Sequence, residues 1–345
     1  MIDLKPFGGG LKRQVTRHKA WRYRCRKCLG TFLPEGYLAM SSGYGRGLCA
    51  WVVYASIALR QTNEAIEEAL GEWFGVRFGR CYASKIRQRA VERYRVTYES
   101  LLAALRSGPV VHADETKVAL KGAAGSGYVL TFASPDTAVY VYAPTRGGET
   151  AREMLSGFQG VLVSDFFAAY DSLDCPQQKC LIHLIRDMND DLLKNPFDDE
   201  LRQQAARFTA LLQGVVETID RYGLKKYHLH RHKKDVGRFF AAECGESYGS
   251  EVARYYQNRF LRCRAKLFTF LDYDGVPWNN NNAENAIKRF VSRRNSLGTP
   301  FTESGIRDYL LLLSISQTLR YRNASFWRFL LSGETDIGAF TAKRR

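Results

Sequence analysis

The sequence contains no long hydrophobic run. Its longest aliphatic stretch is the four residues Leu310 to Leu313, far short of the ~20 that a membrane-spanning helix needs. The opening segment MIDLKPFGGGLKRQ has no apolar centre and does not read as a signal peptide. The eight cysteines are mostly scattered, and no second CxxC accompanies Cys25-Arg-Lys-Cys28. Without an export signal, reduced thiols in a cytoplasm are expected rather than a disulfide framework. No internal repeat or low-complexity tract stands out. Negative charge is also scarce: 51 Lys and Arg face 35 Asp and Glu, a formal net charge of +16. Such an excess favours a polyanion such as nucleic acid, because each neutralised phosphate releases condensed counterions.

What is present divides by pattern. A chain of 345 residues, 45% hydrophobic and 25% charged, suggests two or three globular domains. Residues 1–40 are basic, contain glycine and carry the CxxC. Residues 47–106 space their apolar positions as helices do, and Ser107-Gly108-Pro109 then interrupts them. From Val110 the period shortens. Strands are expected at 109–118, 128–133 and 138–143, a helix from Glu149 to Phe158, and a buried strand at Val161-Leu-Val-Ser-Asp165. A helix is expected from Phe166 to Leu173. A fifth strand, Lys179-Cys-Leu-Ile-His183, runs into a helix ending near Leu193. The order β-β-β-α-β-α-β-α implies a mixed five-stranded sheet with helices, an α/β (overall α+β) class of ribonuclease H-like type. The expected first part of this core is 109–194. Residues 195–275 read as an all-helical insertion, 276–331 as the second part of the core, and 332–345 as a basic tail.

Three acids attract attention. Asp114 lies in the first strand of the sheet and Asp165 ends the fourth, and in this topology those strands are neighbours. Glu284 falls in the first turn of a helix that the run Asn279-Asn-Asn-Asn282 caps. A helix dipole alone also favours an acid there. Breaking a DNA phosphodiester needs an activated oxygen nucleophile and a stabilised leaving 3′ oxygen. Two Mg²⁺ (or Mn²⁺) ions do both, and they require hard anionic ligands. Asp114, Asp165 and Glu284 are therefore the expected metal ligands and catalytic residues. Glu115, Asp171, Asp174 and Asp187 are competing acids close by.

Together these motifs resemble the insertion-sequence-66 type of bacterial transposase, a branch of the DDE superfamily. The resemblance rests on His112-Ala-Asp-Glu-Thr116, on Gly160-Val-Leu-Val-Ser-Asp165 followed by Ala169-Tyr170, and on Cys180-Leu-Ile-His183 with Arg186. It continues through Asn281-Asn-Ala-Glu-Asn-Ala-Ile-Lys-Arg289 and Ser292-Arg-Arg-Asn-Ser-Leu-Gly298. In this order the motifs cover roughly residues 20 to 331. The resemblance implies the triad Asp114, Asp165 and Glu284, Mg²⁺-dependent DNA cleavage and strand transfer, and a helical insertion before the glutamate. It also implies a dimer or larger assembly on the element's terminal inverted repeats and target DNA, with accessory proteins of the same element as further candidates. Two departures bear on subfamily: Cys-Leu-Ile-His stands where Cys-Trp-Ala-His is usual, and Phe166 where glycine is commoner.

Supporting residues follow. His183 either orients water or phosphate at the site or is satisfied by a neighbouring carbonyl. Arg186 suits a phosphate clamp or a carboxylate partner. Lys288 lies four residues after Glu284 and either contacts DNA or forms an ordinary helical pair. Arg289, Arg293 and Arg294 make that stretch basic enough to track a DNA backbone. Residues 62–95 read as two helices around a glycine turn, the second bearing Lys85, Arg87 and Arg89. This is either a DNA-binding helix-turn-helix or a plain helical hairpin. Cys25 and Cys28 look like one knuckle of a zinc ribbon, a partial Zn²⁺ site that lacks the usual second pair. A misplaced start codon or a decayed gene is the expected cause. His228, His230 and His232 alternate, yet read as part of a solvated basic segment rather than a metal site. Two other functions compete: a non-catalytic or domesticated DNA-binding relative, and a ribonuclease H-like nuclease without strand transfer.

Overall fold

The computed structural model describes residues 1–34, 43–122, 125–297 and 300–342. Gly298 of the last motif and residues 343–345 of the expected basic tail lie outside the described residues. Two hairpins come first, β1 (Ile2–Phe7) with β2 (Gly10–Val15) and β3 (Tyr23–Arg24) with β4 (Thr31–Phe32). Helices α1 (Arg46–Ile57), α2 (Asn63–Phe74) and α3 (Arg80–Arg106) follow. Then come β5 (Val110–Ala119), β6 (Ser126–Ala133), β7 (Ala138–Ala143), α4 (Glu149–Met154), β8 (Val161–Ser164) and β9 (Gln177–Lys179). The remaining helices are α5 (Leu181–Lys194), α6 (Asp199–Tyr222), α7 (Lys226–Leu229), α8 (Lys233–Gly245) and α9 (Glu251–Leu267), then α10 (Asn281–Leu297), α11 (Glu303–Tyr321), α12 (Phe326–Ser332) and α13 (Ile337–Ala342).

The chain forms two compact units, residues 1–100 with 293–345, and residues 101–292. The break after Ser292 falls inside α10, where the sequence pattern marks no boundary.

In the first unit, β1 lies against the start of α1. The buried Asp3 carboxylate accepts the backbone N–H groups of Leu4 and Leu48, both at 2.9 Å. Gly47 is required at this approach, because a Cβ there would sit 1.8 Å from the Leu4 carbonyl oxygen. Helix α11 buries apolar residues around most of its girth, including Ile306, Leu312, Ile315 and Leu319. That pattern marks a helix covered by neighbours rather than one lying on a surface. Tyr54 of α1 meets the rings of Phe326 and Trp327 of α12. Thr62 caps α2 by accepting from Ala65 N–H, and Gly75 ends it in the left-handed conformation at φ 59°.

The second unit holds a five-stranded mixed sheet of order β7-β6-β5-β8-β9. Strand β6 runs antiparallel to β5 and β7, whereas β8 is parallel to β5 and β9 is parallel to β8. The uninterrupted apolar run Val161-Leu-Val forms the fully buried parallel strand β8, as expected of a strand covered on both faces. This arrangement is consistent with a ribonuclease H-like fold. The fifth strand is placed differently from the sequence expectation. It is Gln177–Lys179, and His183 lies in the first turn of α5. Cys180 N–H to the Ser164 carbonyl is the last rung, and pairing stops there because Leu181 N–H turns instead to the carbonyl of Trp278.

Residues 199–272 are helical, packed on an aromatic core that includes Phe208, Phe239, Phe240 and Phe260. The three alternating histidines therefore lie on helical turns, not on an extended strand. The expectation that all are solvated fails for His232. It is buried, with one ring nitrogen 2.8 Å from Thr218 Oγ1 and the other 3.3 Å from Asp235. Among the described residues, no helix is long and apolar enough to cross a membrane.

Candidate active site

Strand β5 delivers His112, Ala113, Asp114 and Glu115 in succession, and β8 delivers Asp165 immediately after its last residue. The parallel register pairs Val110 with Val161 and His112 with Val163. Continued by two residues, the same offset sets Asp165 opposite Asp114. The third acid, Glu284, stands in the first turn of α10. Its Oε1 is buried without a hydrogen-bond partner and lies 3.9 Å from His183 Nε2 on α5.

Asn280 joins these pieces, and sequence reasoning treated it only as part of a capping run. Fully buried, it donates from Nδ2 to the Ala113 carbonyl at 2.8 Å, and its Oδ1 lies 3.2 Å from His112 Nδ1. Its own N–H reaches Cys180 Sγ at 3.3 Å, and its carbonyl accepts Glu284 N–H at 3.2 Å. One side chain and its peptide groups thus connect the strand of Asp114, the start of α5 and the helix of Glu284. The local signal was an asparagine directly before the helix that carries the acid, with nothing to show which of four successive asparagines turns inward.

The electrostatics are those of crowded carboxylates. Burial pushes the Asp114 carboxyl up to about 7, and the charges of Asp165, Glu115 and Glu284 add to the effect. Glu115 is raised as well, through burial first and Asp165 second. It is held by Arg146 at 3.0 Å and by the Tyr170 hydroxyl at 3.0 Å, and the Arg146 guanidinium stacks over Phe167 at 4.3 Å. Arg146 was not anticipated, because nothing in a loop sequence shows which strand acid an arginine will reach. Burial pushes His112 down to about 4, so it is neutral at physiological pH.

Two competing acids are committed elsewhere. Asp171 pairs with Lys266 at 2.8 Å and with the buried Lys179 at 3.1 Å, and Asp187 pairs with Arg259 at 2.7 Å.

A hard divalent ion suits this donor set. Asp114 holds a proton unusually well because it is buried and crowded by other acids, and Glu284 presents an orphaned buried oxygen. Cys180, His183 and Glu284 also bring one ligand atom each within 4.8 Å of one another. The thiol of that trio is soft, buried and already accepts Asn280 N–H, which leaves the carboxylate oxygens as the donors matched to Mg²⁺.

The other expected residues separate by burial. Arg186 is exposed on α5, one helical turn beyond His183. Lys288 is exposed, and its Nζ donates to Asn285 at 3.4 Å rather than pairing with Glu284. Arg289 is half-buried. In the other unit Lys85 and Arg89 are exposed, the former 5.5 Å from the Tyr82 ring centre. Arg87 does not project as expected: its guanidinium donates to Asn63 Oδ1 at 2.7 Å and to the hydroxyls of Ser84 and Ser56. Arg293 is likewise buried, donating to the carbonyls of Arg60 and Gln61. Both are internal struts, because carbonyl and hydroxyl oxygens left by the neighbouring helix ends need donors. Arg294 is half-buried and reaches Asn295.

Cys25 and Cys28 sit on the β3–β4 hairpin. Cys25 N–H bonds the Gly30 carbonyl, Leu29 adopts φ 57°, and Tyr23 stacks on Phe32. The Cys25 thiol is held below its usual range, chiefly by the Cys28 backbone N–H. Among the described residues, no third Cys, His, Asp or Glu completes a metal-binding group with this pair.

A family model described as Transposase IS66 family matches residues 41–307, which is 267 of the 345 residues. No curated protein matches the chain.

Proposed function

The chain belongs to the transposase IS66 family, and from that premise we propose that it cleaves DNA strands at the ends of an insertion sequence and joins them to target DNA. The observation that carries this reading is the carboxylate cluster around Asp114, whose proton affinity is raised to about 7 by burial and by three neighbouring acids. Such a cluster is costly in the folded state unless a cation or proton relieves it.

Asp114, Asp165 and Glu284 would hold two Mg²⁺ or Mn²⁺ ions. When bound, the ions supply a Lewis acid at both the attacking and the leaving oxygen of an in-line phosphoryl displacement. The protein's own groups do the rest. Asn280 keeps the strand of Asp114 and the helix of Glu284 in register, so the acids meet the scissile phosphate without reorganising. His183, with its Nε2 3.9 Å from Glu284 Oε1, stands beside that acid where its ring can orient the attacking water or contact the scissile phosphate. Arg146 screens Glu115, and Arg186 offers a fork to a non-bridging phosphate oxygen. Lys85, Arg89, Lys288 and Arg289 remain as cations for the DNA backbone, with α2 and α3 as the element that recognises the terminal repeats. Action as a dimer or larger on paired ends, accessory proteins of the element and a cytoplasmic setting belong to the same reading. So does the assignment of residues 195–275 as an insertion.

The test is 3′-end cleavage and strand transfer on the element's own ends with Mg²⁺. The expected result is both activities in the wild type and neither in Asp114→Asn. Cleavage without joining would support a nuclease instead. End binding with no cleavage at all would support a DNA-binding relative.

A further inference from the structure

The helical segment 199–272 carries an exposed aromatic group that the proposed chemistry does not use. Tyr222, at the end of α6, lies parallel to His228 with ring centres 4.1 Å apart and an interplanar angle of 13°. Tyr227 meets His228 edge-on at 5.0 Å and 85°. Tyr227 is 88% exposed, although a tyrosine normally buries most of its ring. Arg221 covers Tyr222 at 5.2 Å. The group is thus a stacked Tyr222–His228 pair with a guanidinium on Tyr222, and beside it the exposed Tyr227 ring stands perpendicular to the imidazole.

Positive charge continues from this aromatic group. A cavity of about 640 Å³ is bordered by Lys225, Lys226, Tyr227, His228, His230 and Asp274. A second, of about 1010 Å³, shares Lys226 and runs past Lys233, Arg262 and Arg264. The two acids bordering these cavities are already engaged. Asp272 takes Lys233 at 2.6 Å and His230 at 3.4 Å, and Asp274 accepts the Lys226 N–H at 2.8 Å. Lys225, Lys226, Arg262 and Arg264 are all exposed along this path.

We infer that this surface binds single-stranded DNA, with a base stacked on the exposed Tyr227 ring beside the Tyr222–His228 pair and phosphates following Lys225, Lys226, Arg262 and Arg264. Exposed rings combined with a cationic track are what an unpaired strand requires. Bases within a duplex are already stacked on each other and have no face to offer. The choice of DNA rests on the proposed transposase reading, but the binding itself needs neither metal nor catalysis.

The experiment titrates fluorescently labelled oligo(dT), and in parallel a duplex, with the full-length chain in the presence of EDTA. The readout is anisotropy. Oligo(dT) should bind, Tyr227→Ala should weaken it by about tenfold, and Tyr227→Trp should restore it, while duplex affinity changes by less than about twofold. The pair Lys226→Gln and Arg262→Gln should weaken binding and flatten its salt dependence by about two phosphate contacts. The mutated side chains are exposed, so melting temperatures should be unchanged. Equal oligo(dT) affinity of wild type and Tyr227→Ala would overturn the inference, as would an equal loss on duplex or tighter binding of oligo(rU). Asp114→Asn should bind oligo(dT) like the wild type, so failure of the cleavage reaction and failure of this site are separately visible.

Discussion

Asp114 and His112 lie two residues apart on one strand and titrate in opposite senses. Asp114 holds its proton up to about 7 in the fold against a usual 3.8. The folded state therefore binds the extra proton between those values, and stability falls as pH rises from about 4 to about 7. His112 is neutral in the fold down to about 4 against a usual 6.5. Its contribution is intact above 6.5 and is lost as pH falls toward 4. In EDTA, urea unfolding should find Asp114→Asn more stable than wild type at neutral pH by at least about 1 kcal/mol, on a scale of about 1.4 kcal/mol per unit. The difference should vanish near pH 4, and a difference independent of pH would remove the electrostatic account of the site. With Mg²⁺ the same substitution should cut strand cleavage by about a thousandfold or more, since several kcal/mol of charge stabilisation are lost. Asn280 gives a second contrast. Asn280→Ala orphans the Ala113 carbonyl and the His112 ring nitrogen, each worth about 1–3 kcal/mol when buried. Asn281→Ala, one residue further along the same run and exposed, should stay within about 0.5 kcal/mol of wild type.

At the scale of elements, two glycines with opposite surroundings make the argument. Gly47 lets the first turn of α1 approach β1, and any Cβ there meets the Leu4 carbonyl. Gly47→Ala should destabilise the protein by about 1–3 kcal/mol or more through overpacking. Gly71 lies inside α2, and a Cβ added there would meet no atom within 4 Å. Gly71→Ala should stabilise by about 0.5–1 kcal/mol, because alanine restricts the unfolded chain and favours the helix. Thermal unfolding followed by circular dichroism reads both, and two shifts of the same sign would contradict this packing of α1 on β1. The αL glycine at the end of α2 and the Thr62 cap were readable from residue type, since both satisfy groups that any helix end leaves open.

For the whole molecule, the charge of +16 sets the affinity for DNA before any specific contact does. Duplex binding should fall with salt on a log–log slope of about −5 or steeper, corresponding to six or more neutralised phosphates. A slope near zero, measured by anisotropy between low and physiological salt, would show that the basic surface is not the DNA-binding one. Mg²⁺ should raise the melting temperature of the wild type and leave that of Asp114→Asn nearly unmoved, because a ligand that binds only the native state stabilises it by mass action. The basic residues do not contribute equally. Arg87 and Arg293 are spent on internal carbonyls and hydroxyls, and charge counting along the chain has no means of separating them from Lys85 or Arg186.

Local pattern by itself determined much of this protein. The alternation and apolar runs between Val110 and Ser164 specify four strands whose order implies neighbouring β5 and β8, and so bring Asp114 and Asp165 together. Period, capping and charge are properties of adjacent residues, so they survive in one dimension. Only the tertiary structure decided the rest. It ended β9 at Lys179, buried His232 while leaving Tyr227 outside, and turned Asn280 rather than its three neighbours inward to hold His112 and Ala113. Those outcomes depend on partners 14 to 168 residues away, and a buried polar atom is assigned by whichever distant group satisfies it, a contest that no window of sequence records.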